Sequence, residues 1–264
     1  MTEFLTTSSG DRVAYDLRGE GPAVVFVAGA GPFREIDPET TATAELAAGL
    51  GLTTLVYDRL GRGESTAAAP IPLQREIDAL AALIDVAGSP AVLCGHSSGC
   101  TIALRAAVAG LPVAGLALWE IPLAPPGSGA AAWAAEVEGL LDDGRSAAAV
   151  ETYMRDMPPE FLAWLKDSPM WPAFVANAAG LRPDAQALAW TDSAPAGDLW
   201  SGIDAPALVM TGSETFDELT AGADLAAAAL RDARRLVVPG AQHSWEPEAM
   251  AKTLQGFVTE IAGR

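Results

Sequence analysis

The chain has 264 residues, enough for one large domain with its own core and a modest insertion. Half of it is hydrophobic, 19% is charged, and the formal net charge is −18. So acidic a surface repels polyanions, which argues against nucleic acid or an anionic membrane as partner. No apolar run approaches the ~18 residues of a membrane span. The start, Met1-Thr2-Glu3-Phe4, is acidic and runs straight into strand-like sequence, so no signal peptide is expected and the expected location is cytoplasmic. The two cysteines, Cys94 and Cys100, read as small buried apolar residues rather than a disulfide. There are two histidines and no Cys/His cluster at ligand spacing, so neither a metal nor another cofactor is expected.

In chain order, residues 4–6 and 12–17 form a hairpin across Ser8-Ser9-Gly10-Asp11. Residues 23–28 are a continuous apolar strand of the kind buried at a sheet centre. A helix over 40–49, a strand over 53–57 and an amphipathic helix over 73–87 follow, the last with Leu73, Ile77, Leu80, Leu83 and Ile84 at helical spacing. Then come strand 91–95, helix 98–109 and strand 113–119. From Ile121 to about Ser201 the rhythm breaks into Ala-, Trp-, Met- and Pro-rich sequence without a strand-like run, too long for a plain loop. It carries Trp133, Trp164, Trp171, Trp190 and Trp200 and is expected to be a helical lid. Strand 207–211, helix 217–230, strand 235–238 and helix 247–261 resume the alternation, which argues for a mostly parallel sheet with helices on both faces.

The chemistry-bearing stretch is Gly95-His96-Ser97-Ser98-Gly99, a G-x-S-x-G turn between an apolar strand and a small-residue helix. A serine hydroxyl attacks a carbonyl only when a base, an orienting acid and an oxyanion site surround it. Besides His96, inside the turn, the one histidine is His243 in Pro239-Gly240-Ala241-Gln242-His243. His96 is expected to shape the elbow with its ring turned from the attack face. The orienting acid is open between Glu120, at the end of a buried strand where a carboxylate is costly without a partner, and Glu214 or Asp217. Glu214 reads equally as a solvated loop residue, and Asp217 as a helix N-cap. Asp58-Arg59-Leu60-Gly61-Arg62-Gly63-Glu64-Ser65 reads as architectural, with Asp58 bonding backbone N–H groups of a tight loop.

With the elbow, the Gly29-Ala30-Gly31-Pro32 loop, the Asp58–Ser65 loop and His243 in this order, the chain resembles the α/β-hydrolase superfamily over nearly its whole length. The resemblance implies a mostly parallel eight-stranded sheet with helices on both faces. It divides the chain into a core of residues 1–120 and 202–264 and a helical cap, residues 121–201, inserted after strand 6. It implies a Ser97 nucleophile, a His243 base and an oxyanion hole made by the backbone N–H groups of Ser98 and Ala30. Ala28 departs from the pattern, which often has histidine before that glycine. Many members place the acid three residues past the glycine ending strand 207–211, which is Thr215 here. Certain lactone hydrolases place it after the preceding strand, at the position of Glu120. The serine disfavours the epoxide hydrolases and dehalogenases of this fold, which use aspartate. The expected function is cofactor-free hydrolysis of a carboxylic ester or lactone of an uncharged, apolar or aromatic small molecule. A lyase, a perhydrolase and a ligand-binding receptor are the alternatives. Monomer and homodimer both remain open.

Overall fold

The computed structural model describes residues 1–124, 126–157 and 159–263. Eight strands form one sheet: β1 (Glu3–Thr6), β2 (Arg12–Arg18), β3 (Ala23–Val27), β4 (Thr53–Tyr57), β5 (Ala91–His96), β6 (Val113–Trp119), β7 (Ala207–Gly212) and β8 (Ala233–Val238). Their spatial order is β1-β2-β4-β3-β5-β6-β7-β8, and only β2 runs antiparallel to its neighbours. β3 is therefore central. Its five residues are all buried because each face of the strand enters a different core.

The period of two along each strand divides those cores. Val25 and Val27 of β3 join Leu55, Leu93, Leu118 and Val209 on one face. There α2 (Leu73–Ala87), α3 (Ser98–Val108) and α10 (Asp217–Ala229) cover the sheet. Val24 and Phe26 join Val56, Cys94, Trp119 and Met210 on the other, under α1 (Pro38–Gly49) and α11 (Pro247–Ala262). The expected apolar positions of α2 fall as the helical period requires, with Ile77, Leu80, Leu83 and Ile84 buried. α1 begins at Pro38, two residues before the expected start. Asp37 caps it by accepting the Thr40 N–H at 3.0 Å, and proline suits the first helical position. β8 also begins early, because Ala233 and Arg234 pair with Ala207 and Leu208.

Between β6 and β7 the chain forms α4 (Ala130–Asp142), α5 (Ser146–Tyr153), α6 (Pro159–Asp167), α7 (Trp171–Ala176), a 3-10 turn over Ala178–Leu181, α8 (Arg182–Thr191) and α9 (Ala196–Leu199). α8 is the helix of this insertion that lies on α2 and α3. Its buried set includes Arg182, Asp184 and Ala187, an unusually polar inner face. Cys94 and Cys100 are free thiols, both buried. Burial pushes the Cys94 thiol up to about 12. Among the described residues no helix is long and apolar enough to cross a membrane.

Candidate active site

β5 ends in the G-x-S-x-G turn, and the reason for both glycines is steric. A Cβ on Gly95 would stand 2.7 Å from the Cys100 backbone, and one on Gly99 would collide with the Val27 carbonyl of β3. Ser97 itself sits at φ 52, a conformation that costs a side-chain-bearing residue ~1–3 kcal/mol. Its N–H donates to Trp119 O at 2.9 Å, which ties the turn to the end of β6. Ser98 opens α3, where its N–H has no acceptor in its own helix and the helix dipole favours negative charge.

Glu120 follows β6 directly. Its N–H is fixed to Met210 O at 2.8 Å, its φ is 46, and it is 0% exposed. One carboxylate oxygen accepts the Gly212 N–H at 2.9 Å and the other meets His243 Nδ1 at 2.5 Å. Burial alone would raise this carboxyl, but His243, the nearby Thr215 hydroxyl and the Gly212 N–H outweigh it and hold the pKa below the usual carboxylate range. Thr215, at the position where the acid often stands, instead faces this carboxylate. Glu214 and Asp217 are exposed, and neither bonds the imidazole among the described residues. Asp217 is the first residue of α10, and Phe216, not Asp217, occupies its N-cap.

His243 stands at the tip of a small hairpin made by β9 (Gly240–Ala241) and β10 (Ser244–Trp245). A two-residue hairpin turn of the favoured type needs positive φ at both central residues. Gln242 and His243 supply it at φ 53 and 68, although neither is a glycine or asparagine. Ser97, Glu120, Gln242 and His243 are the non-glycine residues with positive φ among the described residues, so backbone strain concentrates at one place. Because the carboxylate can only accept, His243 Nδ1 carries the hydrogen in that bond, and a neutral imidazole then has Nε2 free to accept another. The His243 side chain is 23% exposed, unlike its acid.

His96 departs from its expected role. Its ring is turned toward His243, with centroids 4.7 Å apart, and Nε2–H donates to the His243 carbonyl at 2.8 Å. Trp119 Nε1 donates to the same oxygen at 3.2 Å. Burial first, and then the nearby His243, push the His96 pKa down to about 3, so this ring is neutral and acts as a clamp.

On the other side of the turn lies a cluster whose partners sequence reading did not bring together. Asp58 behaves as expected: it accepts from the Arg34 and Glu64 N–H groups at 2.9 and 2.8 Å. The two arginines beyond it go elsewhere. Arg59 and Arg62 are fully buried beside Asp184 of α8. Arg59 Nη1 donates to Asp184 at 2.6 Å and to the Ala28 carbonyl at 3.1 Å. Arg62 Nη1 donates to the Gly29 carbonyl at 2.5 Å, while its Nη2 bonds Asp184 and the Gly180 carbonyl. Glu76 of α2 lies 3.5 Å from Arg59. Ser98 Oγ donates to Asp184 at 2.7 Å and also meets the phenol of Tyr153. Two arginines in one loop after a buried strand were the available signal; their partner is more than 120 residues away.

The insertion packs an apolar cluster against Ala30, built from Met154, Met157, Phe161, Trp171 and Phe174 around Val150 and Leu181. A Cβ on Gly31 would strike the Phe174 ring. Of the five tryptophans only Trp171 belongs to this cluster. Trp200 is buried in the main core, Trp190 packs on that core, Trp133 makes a tilted ring contact with Tyr153, and Trp164 is 55% exposed. Among the described residues no group of three or more His, Cys, Asp or Glu side chains is placed to hold a metal ion.

A central, mostly parallel sheet with a strained serine between β5 and α3, and beside it a histidine bonded to a buried acid, defines a class of α/β proteins built around one elbow. A family model described as "Alpha/beta hydrolase family" matches residues 24–254. The chain belongs to that family, and this membership supports a hydrolase. An alpha/beta hydrolase from Sphaerobacter thermophilus DSM 20745 is 32% identical, with 97% of this chain and 99% of that one covered at a TM-score of 0.81. The enol-lactonase of Burkholderia xenovorans LB400 shares 19% identity over 99% of this chain and all of its own, with a TM-score of 0.65. A haloalkane dehalogenase variant from Bradyrhizobium elkanii also shares 19% identity, over all of this chain and 97% of its own, at a TM-score of 0.65. A search of the curated proteins returns no match. The fold thus hosts different reactions, and the choice among them rests on the site.

Proposed function

We propose that the protein is a serine hydrolase that cleaves an uncharged carboxylic ester or lactone through Ser97, His243 and Glu120. The observation that carries this reading is the Glu120–His243 Nδ1 bond of 2.5 Å, which fixes the imidazole tautomer with Nε2 available as a base. His243 takes the Ser97 proton as Oγ attacks the carbonyl carbon. The tetrahedral oxyanion is held by the N–H groups of Ser98 and Ala30. The imidazolium, stabilised by Glu120, then protonates the leaving alkoxide and an acyl-Ser97 ester remains. Water, deprotonated by His243, releases the acid and restores the serine. The residue at the elbow supports ester chemistry over dehalogenation, which in this fold uses aspartate as nucleophile.

The surroundings support an uncharged acyl group. The cluster on Ala30 is apolar. Three of the four cations of the insertion are engaged elsewhere: Arg155 with Glu136 and Lys166 with Glu151, both at 2.6 Å, and Arg182 with Glu138 and Asp142; the fourth, Arg145, is exposed. To meet a carboxylate or phosphate on the substrate, Arg155, Lys166 or Arg182 would have to leave its ion pair. The helical insertion acts, in this reading, as the cap over Ser97.

Fluorophosphonate labelling with peptide mapping tests the proposal. The expected adduct is on Ser97, formed quickly in the wild type and slowly in Glu120→Gln. A folded wild-type protein that takes no adduct overturns the reading. Turnover of short polar esters far faster than bulky apolar ones would overturn the substrate class alone.

A further inference from the structure

The acyl-transfer reading requires two N–H groups aimed at one point, and backbone N–H groups do not aim themselves. The Gly29 carbonyl and the Ala30 N–H belong to one planar trans peptide, so they point in opposite directions. Holding the carbonyl therefore sets the N–H. Arg62 holds it at 2.5 Å from the buried side, and Arg59 holds the preceding carbonyl, Ala28 O, at 3.1 Å. This loop abuts the elbow: a Cβ on Gly29 would lie 3.0 Å from Ser97 Cβ. The second donor, the Ser98 N–H, is fixed through its own side chain, whose hydroxyl bonds Asp184 at 2.7 Å. One carboxylate thus joins both arginines and Ser98, and all four side chains are buried. Two guanidinium groups in such a place need a counter-charge. Part of it comes from the insertion, through α8, and part from Glu76 of α2.

We propose that Asp184 is the positioning residue of the oxyanion site, locking the Gly29–Ala30 peptide through Arg62 and the first turn of α3 through Ser98. This rests on the acyl-transfer reading above. Docking of α8 and assembly of the oxyanion site are then a single event, and α8 is a fixed part of the site. Without the carboxylate the arginines lose their anchor. The Gly29–Ala30 peptide is then free to rotate, which withdraws one donor from the transition state and leaves ground-state binding in place.

The test uses the full chain, with 4-nitrophenyl butyrate as substrate and an alkyl trifluoromethyl ketone as a probe. The ketone binds as a hemiketal oxyanion on the serine and so reports on the hole. In Asp184→Asn, kcat falls about 10- to 100-fold, at or below the loss from deleting one oxyanion donor. The ketone's affinity falls in parallel, and KM stays within about threefold. Ser98→Ala keeps the N–H and cuts the hydroxyl's links to Asp184 and Tyr153; both quantities fall there by about three- to tenfold. An effect confined to thermal stability, with kcat and ketone affinity unchanged in folded Asp184→Asn, overturns the proposal. If Asp184→Asn does not fold, unchanged values in Ser98→Ala overturn it equally. A wild type that neither turns over the ester nor takes a fluorophosphonate on Ser97 overturns the acyl-transfer reading, and this proposal with it.

Discussion

The elbow has two flanks built on opposite principles. On the β6–β8 side, His243 and Glu120 form one charged contact in strained backbone, and the histidine is partly open to solvent. On the β3–β4 side, Arg59, Arg62 and Asp184 are sealed, and they hold carbonyls rather than a titrating partner. A group that must exchange protons needs access and a pKa within reach of the solution. A group that only aims a dipole works best where it never changes state. In the proposed mechanism, one elbow separates movement of charge from placement of charge.

The largest expected effect breaks the first flank outright. Ser97→Gly should lower kcat by about 10⁴-fold or more. It should also stabilise the fold by about 1 kcal/mol, because glycine accepts φ 52 without strain. Activity assays with urea unfolding check both, and a less stable glycine variant would remove strain from the account. Next, Glu120→Gln should cost about 10³- to 10⁴-fold in kcat, the scale seen when the acid of such a triad becomes an amide. Asp217→Asn and Glu214→Gln should stay within about twofold, and a large loss in either would move the acid to the loop after β7.

The second flank should fail in a different currency. Arg62→Met leaves Asp184 with one guanidinium and removes three buried bonds. A loss of about 3–5 kcal/mol is the scale for breaking a buried charge pair from one side. Denaturant midpoints would show it, and a change below 1 kcal/mol would mean the cluster is not tightly coupled. Gly31→Ala should cost less, about 1–3 kcal/mol, since it adds a Cβ at φ +100 against Phe174. In a Phe174→Ala background the same substitution should cost less, leaving the backbone component.

How much of this the sequence carried depends on the range of the interaction. β4, β6 and α2 were readable to the residue because a buried parallel strand is a short apolar run between turn residues, and an amphipathic helix repeats its apolar side. The helices of the insertion were not separable. Ala-rich stretches such as Ala130–Asp142 carry little contrast between faces, and the spacing of the five tryptophans does not tell which of them meets the cluster on Ala30, where only Trp171 lies. Glu120 was singled out by the cost of a carboxylate at a strand end, a local argument. The arginine cluster was invisible for the opposite reason: its bonds join residues 125 and 122 positions apart, and nothing about Asp184 in a helix announces that it is buried. The same holds for His96, whose partner is 147 positions away.

The smallest expected effect concerns that clamp, and it sharpens the comparison because His96 is a titratable residue kept from titrating. Burial and then His243 lower its pKa from 6.5 to about 3, while the bond to the His243 carbonyl and the Glu120 charge oppose them. A base whose folded pKa lies below its unfolded value is protonated more readily in the unfolded chain. Its contribution is therefore complete above about pH 6.5 and is lost as the pH falls from there toward 3. His96→Asn removes that loss while keeping a donor near the carbonyl. Between about pH 7 and pH 5 the wild type should lose more stability than the variant, as read from urea midpoints at each pH. Because His96 faces His243 and Glu120, the difference between the two proteins reports the His96 titration with that coupling included. Parallel decline of the two would mean that His96 changes state as freely in the fold as in the unfolded chain, and the clamp would then belong with the moving flank.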